Sequence, residues 1–251
     1  MSSSPPSFFF KLLHRLERAA AHAQGKGYGT ATIQQEVKLL QSFLTAEPKL
    51  AVDIGGNVGS YTAELRRRNP NLEIHTFEPS ATNLRKLAER FKHDPLVTLI
   101  PLAVSDRSGD AVLFSNEPGS GLGSLTQRKL DHLNIPFDTT ETIQTIRFED
   151  YWRNRLDSRA LDLVKIDIEG HELAALNGFG SAIEAVKVLQ FEFGGCNIDT
   201  RTYFQDFWYF FKDRGFAIYR ITPFGAESIS GYRELDEFFS TTNYIAVKAA
   251  R

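Results

Sequence analysis

Four short stretches carry most of the polar side chains capable of chemistry, and each follows an apolar run. The first, "VDIGGNVGS", sets Asp53, Gly55, Gly56, Asn57 and Gly59 between the run "KLAVDI" and the helix start "SYTAELRRR". Glycines at a strand-to-helix junction let the main chain turn tightly and lie against a ligand, and the helix that follows offers unpaired N–H groups. Two phosphate-binding patterns fail here. A P-loop needs Lys–Ser/Thr after its last glycine, but Ser60–Tyr61 follow Gly59; a dinucleotide G-x-G-x-x-G needs glycine at position 54, and Ile54 stands there. Asp53, at the strand end, would repel a pyrophosphate. It suits a ligand with a cation, hydroxyls or an ammonium group.

Glu78, in "IHTFEPS", ends the next strand 25 residues after Asp53. That is close to the spacing of roughly 20 between a glycine loop and a ribose-binding acid in nucleotide-binding α/β folds. Ser105-Asp106, in "LAVSD", follow the third strand, where an Asp can accept from an adenine amino group. Singly, Asp53 reads as a helix cap, Glu78 before Pro79 as a turn carboxylate and Ser105-Asp106 as a turn pair. Together they lie in order on the edge where open α/β sheets bind ligands. A ligand with a positive centre, a ribose and an adenine is S-adenosylmethionine.

The fourth stretch, "LVKIDIEGHE", ends a strand with Asp167, Glu169, Gly170, His171 and Glu172. An alcohol acceptor needs a base near neutral pKa within hydrogen-bond reach. His171 is the candidate, with Asp167 four residues earlier placed to orient the ring if a helix begins at Gly170. The plainer reading is a helix-start histidine bonded to backbone, and Glu169 and Glu172 read equally as helix-start acids favoured by the macrodipole. Asp167 and Glu192, at neighbouring strand ends, are hard oxygen ligands that suit Mg2+; Glu192 can instead shape the acceptor pocket or pair with a cation, and the metal stays unassigned. "EPGSGLGSL" (117–125) reads as a lid or as a plain hairpin loop. "YFQDFWYFF" (203–211) reads as core plus a subunit interface.

The elements that must position these groups alternate strand and helix from "KLAVDI" to "VTLIPLAV", and again from "LDLVKIDIE" to the closing strands "FAIYRI" and "NYIAVKA". That order predicts βαβ units, with a parallel sheet covered by helices on both faces. "AVLFSNE" and "TIQTIRF" interrupt it as an inserted strand pair. The chain of 251 residues is 42% hydrophobic and 24% charged with net charge −2, an ordinary globular balance that gives no pointer to nucleic acid. A lone cysteine, Cys196, rules out an internal disulfide. No apolar run approaches the ~20 residues of a membrane span. The start "MSSSPPSFFFKLL" lacks the basic opening of a signal peptide, and the expected location is cytoplasmic. Residues 1–30 read as an appendage: "SSSPPS" is disordered in composition, and a helix over Phe8–Ala23 carries an apolar stripe and caps the domain or a partner subunit. Residues 31–251 read as one domain.

"VDIGGNVGSYT", "FEPS", "AVSD" and "VKIDIEGHE", in this order over roughly residues 48–195, resemble the FkbM family of S-adenosylmethionine-dependent methyltransferases. The resemblance implies a class I methyltransferase (Rossmann-like) fold with a seven-stranded, mostly parallel sheet whose last strand is antiparallel. It implies O-methylation of a sugar or natural-product hydroxyl, with a small-molecule acceptor and a homo-oligomer as open possibilities. The glycine loop with Asp53 would match the cofactor seat, Glu78 the ribose acid, Ser105-Asp106 the adenine contact, and Asp167 the methionine end or the acceptor. Gly56 stands where the family commonly has Ala, and "RFED" replaces its usual Thr-Leu-Asp-Asp. The rival readings are an NAD(P)-dependent reductase on a related fold and a binding module that has lost the chemistry.

Overall fold

Five short strands form the parallel heart of the molecule. They are β1 (Leu50–Ile54), β2 (Glu73–Phe77), β3 (Val97–Ile100), β7 (Leu161–Ile166) and β8 (Val186–Phe193). The computed structural model describes residues 8–29 and 32–249, so the expected disorder of "SSSPPS" lies outside the described residues. Every residue of β1 and β7 is buried, as a strand flanked on both sides and covered on both faces requires. The main sheet has the order β10-β9-β11-β8-β7-β1-β2-β3, with β9 at Phe216–Thr222, β10 at Gly225–Ile229 and β11 at Thr242–Lys248. The last strand, β11, runs antiparallel to both β8 and β9, as expected.

The sheet has eight strands where the resemblance implied seven. The extra one, β10, pairs antiparallel with β9 at the sheet margin. Its sequence "GAESI" is short, polar and half-exposed, and so lacks the apolar signal of an inner strand. The run "VTLIPLAV", read as one strand, is two. Pro101 has no N–H for a ladder, and the chain leaves β3 for β4 (Ala103–Ser105) in a second sheet. That sheet, ordered β4-β6-β5, holds the inserted pair β5 (Gly109–Ser115) and β6 (Thr139–Arg147).

Alternation along the strands divides the core between two faces. Val52, Ile54, Val164 and Ile166 pack under α5 (Phe148–Arg155), α6 (Glu172–Gly178) and α8 (Phe204–Lys212). Ala51 and Leu163 face the opposite layer, α2 (Ile33–Ser42) and α3 (Ser60–Arg68). Helix α8 buries Phe204, Phe207, Trp208, Phe210 and Phe211, the core role read from its aromatics. The remaining helices are α4 (Ala81–Phe91), which follows β2, and the short α7 (Cys196–Thr200), which follows β8. Helix α1 (Phe8–Ala23) forms as its stripe predicts, but it does not cap the domain. None of its residues is buried, and Phe8 and Phe9 are 81% and 62% exposed.

Candidate active site

The carboxyl ends of β1, β2 and β7 open onto a cleft of about 720 Å3, counting the solvent at its mouth. Its floor is the glycine turn. Gly55 has φ +86°, and a Cβ there would lie 1.9 Å from the Asp167 carbonyl oxygen, so only glycine lets β1 and β7 close together at this point. The Gly55 and Gly56 amides both donate to the Phe77 carbonyl, tying the turn to β2. Lys165 Nζ donates to the Gly55 carbonyl at 3.2 Å from the other side.

Glu78, beyond the end of β2, is one of the carboxylates that line the cleft. One oxygen accepts from the Asn57 amide at 2.7 Å and the other from the Ser80 amide at 2.9 Å. It is 6% exposed, and burial pushes its pKa up to about 7 despite those donors. Beside it, Ser80 Oγ and Asn83 Oδ1 are buried and have no hydrogen-bond partner. Both residues line the cleft at the start of α4, and Ser80 makes no side-chain cap bond to that helix. Unpartnered buried polar atoms are rare, and these two belong to residues of the cleft wall. Sequence reasoning missed both, because "PSATN" reads as a helix cap.

Of the nine expected cofactor contacts, Gly55, Asn57, Glu78 and Asp167 line the cleft, whereas Asp53, Gly56, Gly59, Ser105 and Asp106 do not. Asp53 is fully buried. Period-two alternation turns it onto the α3 face, where its cross-strand neighbours are Lys165 and Thr76. There it accepts from Thr62 Oγ1 at 2.7 Å and pairs with Lys165 Nζ at 3.6 Å. Burial raises its pKa, and Lys165 opposes that shift. Through these contacts Asp53 braces the turn from the α3 side. Gly56 and Gly59 sit behind the turn, where a Cβ would strike Thr76 and the Leu87–Phe91 side of α4. Lys165 was another missed residue. Its signal is a cation near the end of a fully buried strand, which requires a buried acid partner.

The expected Asp167–His171 pair does not form. Asp167 pairs with Lys165 at 3.3 Å, and the His171 ring meets Ser105 Oγ through Nε2 at 3.1 Å. The Ser105 hydroxyl donates to Asp106 Oδ1, so its oxygen accepts from Nε2–H and leaves the lone pair on Nδ1. Ser105 and Asp106 thus form a hydrogen-bonded chain with the histidine. Burial lowers the His171 pKa, so the ring is neutral at pH 7 and able to take a proton. Helix α6 begins at Glu172, with His171 as its N-cap. Glu172 turns back to accept from the Ile168 and Gly170 amides, pinning the turn that presents Asp167, Glu169 and His171. The segment read as lid or hairpin loop belongs to the β5–β6 insertion, and its Gly119, Ser120, Gly121, Gly123 and Leu125 line one wall of the cleft.

The family model described as "Methyltransferase FkbM domain" matches residues 53–218, about two thirds of the chain. The chain belongs to the FkbM methyltransferase family. This sets aside the NAD(P)-dependent reductase. The 2-O-methyltransferase NoeI of Sinorhizobium fredii is 24% identical over 193 residues, covering 72% of this chain and 78% of NoeI. The hexuronic acid methyltransferase AglP of Haloferax volcanii is 27% identical over 155 residues, covering 61% of this chain and 59% of AglP. The solved methyltransferase FkbM of Methylobacillus flagellatus KT is 18% identical with a TM-score of 0.47, covering 79% of this chain and 44% of that one. This FkbM-family chain has no helix, among the described residues, long and apolar enough to cross a membrane.

Proposed function

We propose that this methyltransferase uses S-adenosylmethionine to methylate a hydroxyl oxygen on a sugar or sugar-bearing small molecule. The observation that carries the cofactor reading is the buried Glu78, flanked by the unpartnered Ser80 Oγ and Asn83 Oδ1 and facing the cleft above the glycine turn. Glu78 has acceptor capacity left for ribose hydroxyls after taking two backbone amides and the Asn83 side-chain amide. Asp167, at the end of β7, meets the methionine end. S-adenosylmethionine supplies an activated methyl group on a sulfonium, so the protein needs no covalent intermediate. What the chain must do is align the acceptor oxygen with that methyl and exclude water, a contribution worth several kcal/mol in effective concentration. The Gly119–Leu125 wall provides the enclosure. His171, neutral and with its lone pair on Nδ1, takes the acceptor proton.

The sugar reading is supported by the relatives NoeI and AglP, a 2-O-methyltransferase and a hexuronic acid methyltransferase. We read residues 31–251 as one catalytic domain working in the cytoplasm, with the uncovered stripe of α1 as the surface that a homo-oligomer would bury. The test is incubation with methyl-labelled S-adenosylmethionine and a panel of hexoses, uronic acids and their oligosaccharides. Label in a sugar methyl ether is the expected product. Binding of S-adenosylhomocysteine without label transfer to any hydroxyl acceptor would favour the binding-module reading.

A further inference from the structure

Asp167, Glu169 and Glu192 each offer a carboxylate oxygen within 4.8 Å of the other two. Asp167 follows β7 directly, Glu169 lies in the turn beyond it, and Glu192 is on the neighbouring strand. Ile166 pairs with Phe191 in register, which sets Asp167 beside Glu192. Glu169 is held in place, with φ +54° and an ion pair to Arg128 at 2.7 Å. Arg128 in turn reaches Asp199 at 3.3 Å.

Glu192 has no such support. It is 9% exposed, on a strand paired on both sides, and its carboxylate has neither a hydrogen bond nor an ion pair among the described residues. The cations close by are already engaged: Lys165 with Asp53 and Asp167, Arg128 with Glu169 and Asp199. A buried carboxylate aimed at two others without a partner is costly. A cation removes that conflict. Three carboxylates, without thiolate or imidazole, form a hard oxygen set, the preference of Mg2+ and Mn2+. An octahedral ion at about 2.1 Å from each oxygen needs the oxygens about 3–4 Å apart, which is within reach of this cluster by small side-chain rotations.

We propose that Asp167, Glu169 and Glu192 bind one divalent cation, Mg2+ or Mn2+, where the cleft meets the end of β8. The ion's catalytic role rests on the methyltransferase reading above; its binding does not. Asp167 and Glu169 line the cleft and Glu192 closes the set from behind, so a cation here supplies Lewis-acid chemistry to an acceptor hydroxyl entering that end.

The experiment uses the full chain stripped with EDTA and dialysed. MnCl2 binding is followed by calorimetry and by electron paramagnetic resonance, and thermal stability is measured with and without MnCl2. The expected result is one saturable equivalent in the wild type and a rise in Tm on adding Mn2+. Glu192→Gln and Glu169→Gln should each weaken Mn2+ binding by about tenfold or more. Glu192→Gln removes an unpaired buried charge, so it keeps the fold and its circular dichroism spectrum. No saturable binding, or equal affinity in wild type and Glu192→Gln, overturns the site. S-adenosylhomocysteine binding to the stripped protein is measured in parallel: its loss counts against the cofactor reading, whereas its retention without Mn2+ binding counts against the cation site alone.

Discussion

Glu78 gives cofactor binding a calculable pH dependence. Its pKa of about 7 in the free protein means that about half of the molecules carry a neutral carboxyl there at pH 7. Ribose hydroxyls donate, and an ionised carboxylate accepts both, whereas the acid form must spend an oxygen on its own proton. If binding requires the ionised form, the apparent Kd for S-adenosylhomocysteine rises about tenfold for each pH unit below 7, or about 1.4 kcal/mol per unit. Between pH 8 and pH 5.5 the loss is about thirtyfold. Glu78→Gln keeps the shape and one acceptor but has no proton to exchange, so its affinity is weaker and lacks this slope. The stability sign is opposite. A carboxyl whose folded pKa exceeds its ordinary 4.5 adds to stability below pH 4.5, and the contribution is lost as pH rises through about 7. Calorimetric titration of both proteins at half-unit intervals from pH 5.5 to 8 is the assay. The reasoning is refuted if wild-type affinity is flat across this range, or if Glu78→Gln shows the same slope.

Asp53→Ala should act mainly on stability. It strips a partner from buried Lys165 and Thr62, at a cost of about 3 kcal/mol in urea unfolding, and any effect on cofactor affinity should be secondary. His171→Gln should leave S-adenosylhomocysteine affinity unchanged while slowing methyl transfer by about a hundredfold, with the base limb of the pH–rate profile lost; unchanged turnover would clear His171. Deleting residues 8–23 should leave the Tm of the remaining chain unchanged, because no side chain of α1 is buried; a large fall would mean that the helix packs on the domain.

The sequence revealed the elements that repeat a strong pattern and the acids that stand alone at strand ends. β1, β2, β7 and β8 were legible as short runs rich in aliphatic and aromatic residues, bounded by turn or helix signals. Glu78 and Asp167 were legible because each is a charge directly beyond such a run. Direction was harder to read. Asp53 sits one residue before the turn, and only the register against Lys165 and Thr76 shows that it faces α3. Ser105 and His171 are 66 residues apart, and no local spacing announces their bond. Strand β10 was invisible because an exposed edge strand carries no apolar periodicity. Pro101 was the available sign that "VTLIPLAV" changes sheets.

The most direct test is a crystal structure of the full chain with S-adenosylhomocysteine. The account predicts the nucleoside in the cleft between the glycine turn and the Gly119–Leu125 wall, its ribose hydroxyls on Glu78 and its polar edge satisfying Ser80 or Asn83. Density for the nucleoside elsewhere, with Glu78 facing no ligand atom, would contradict it.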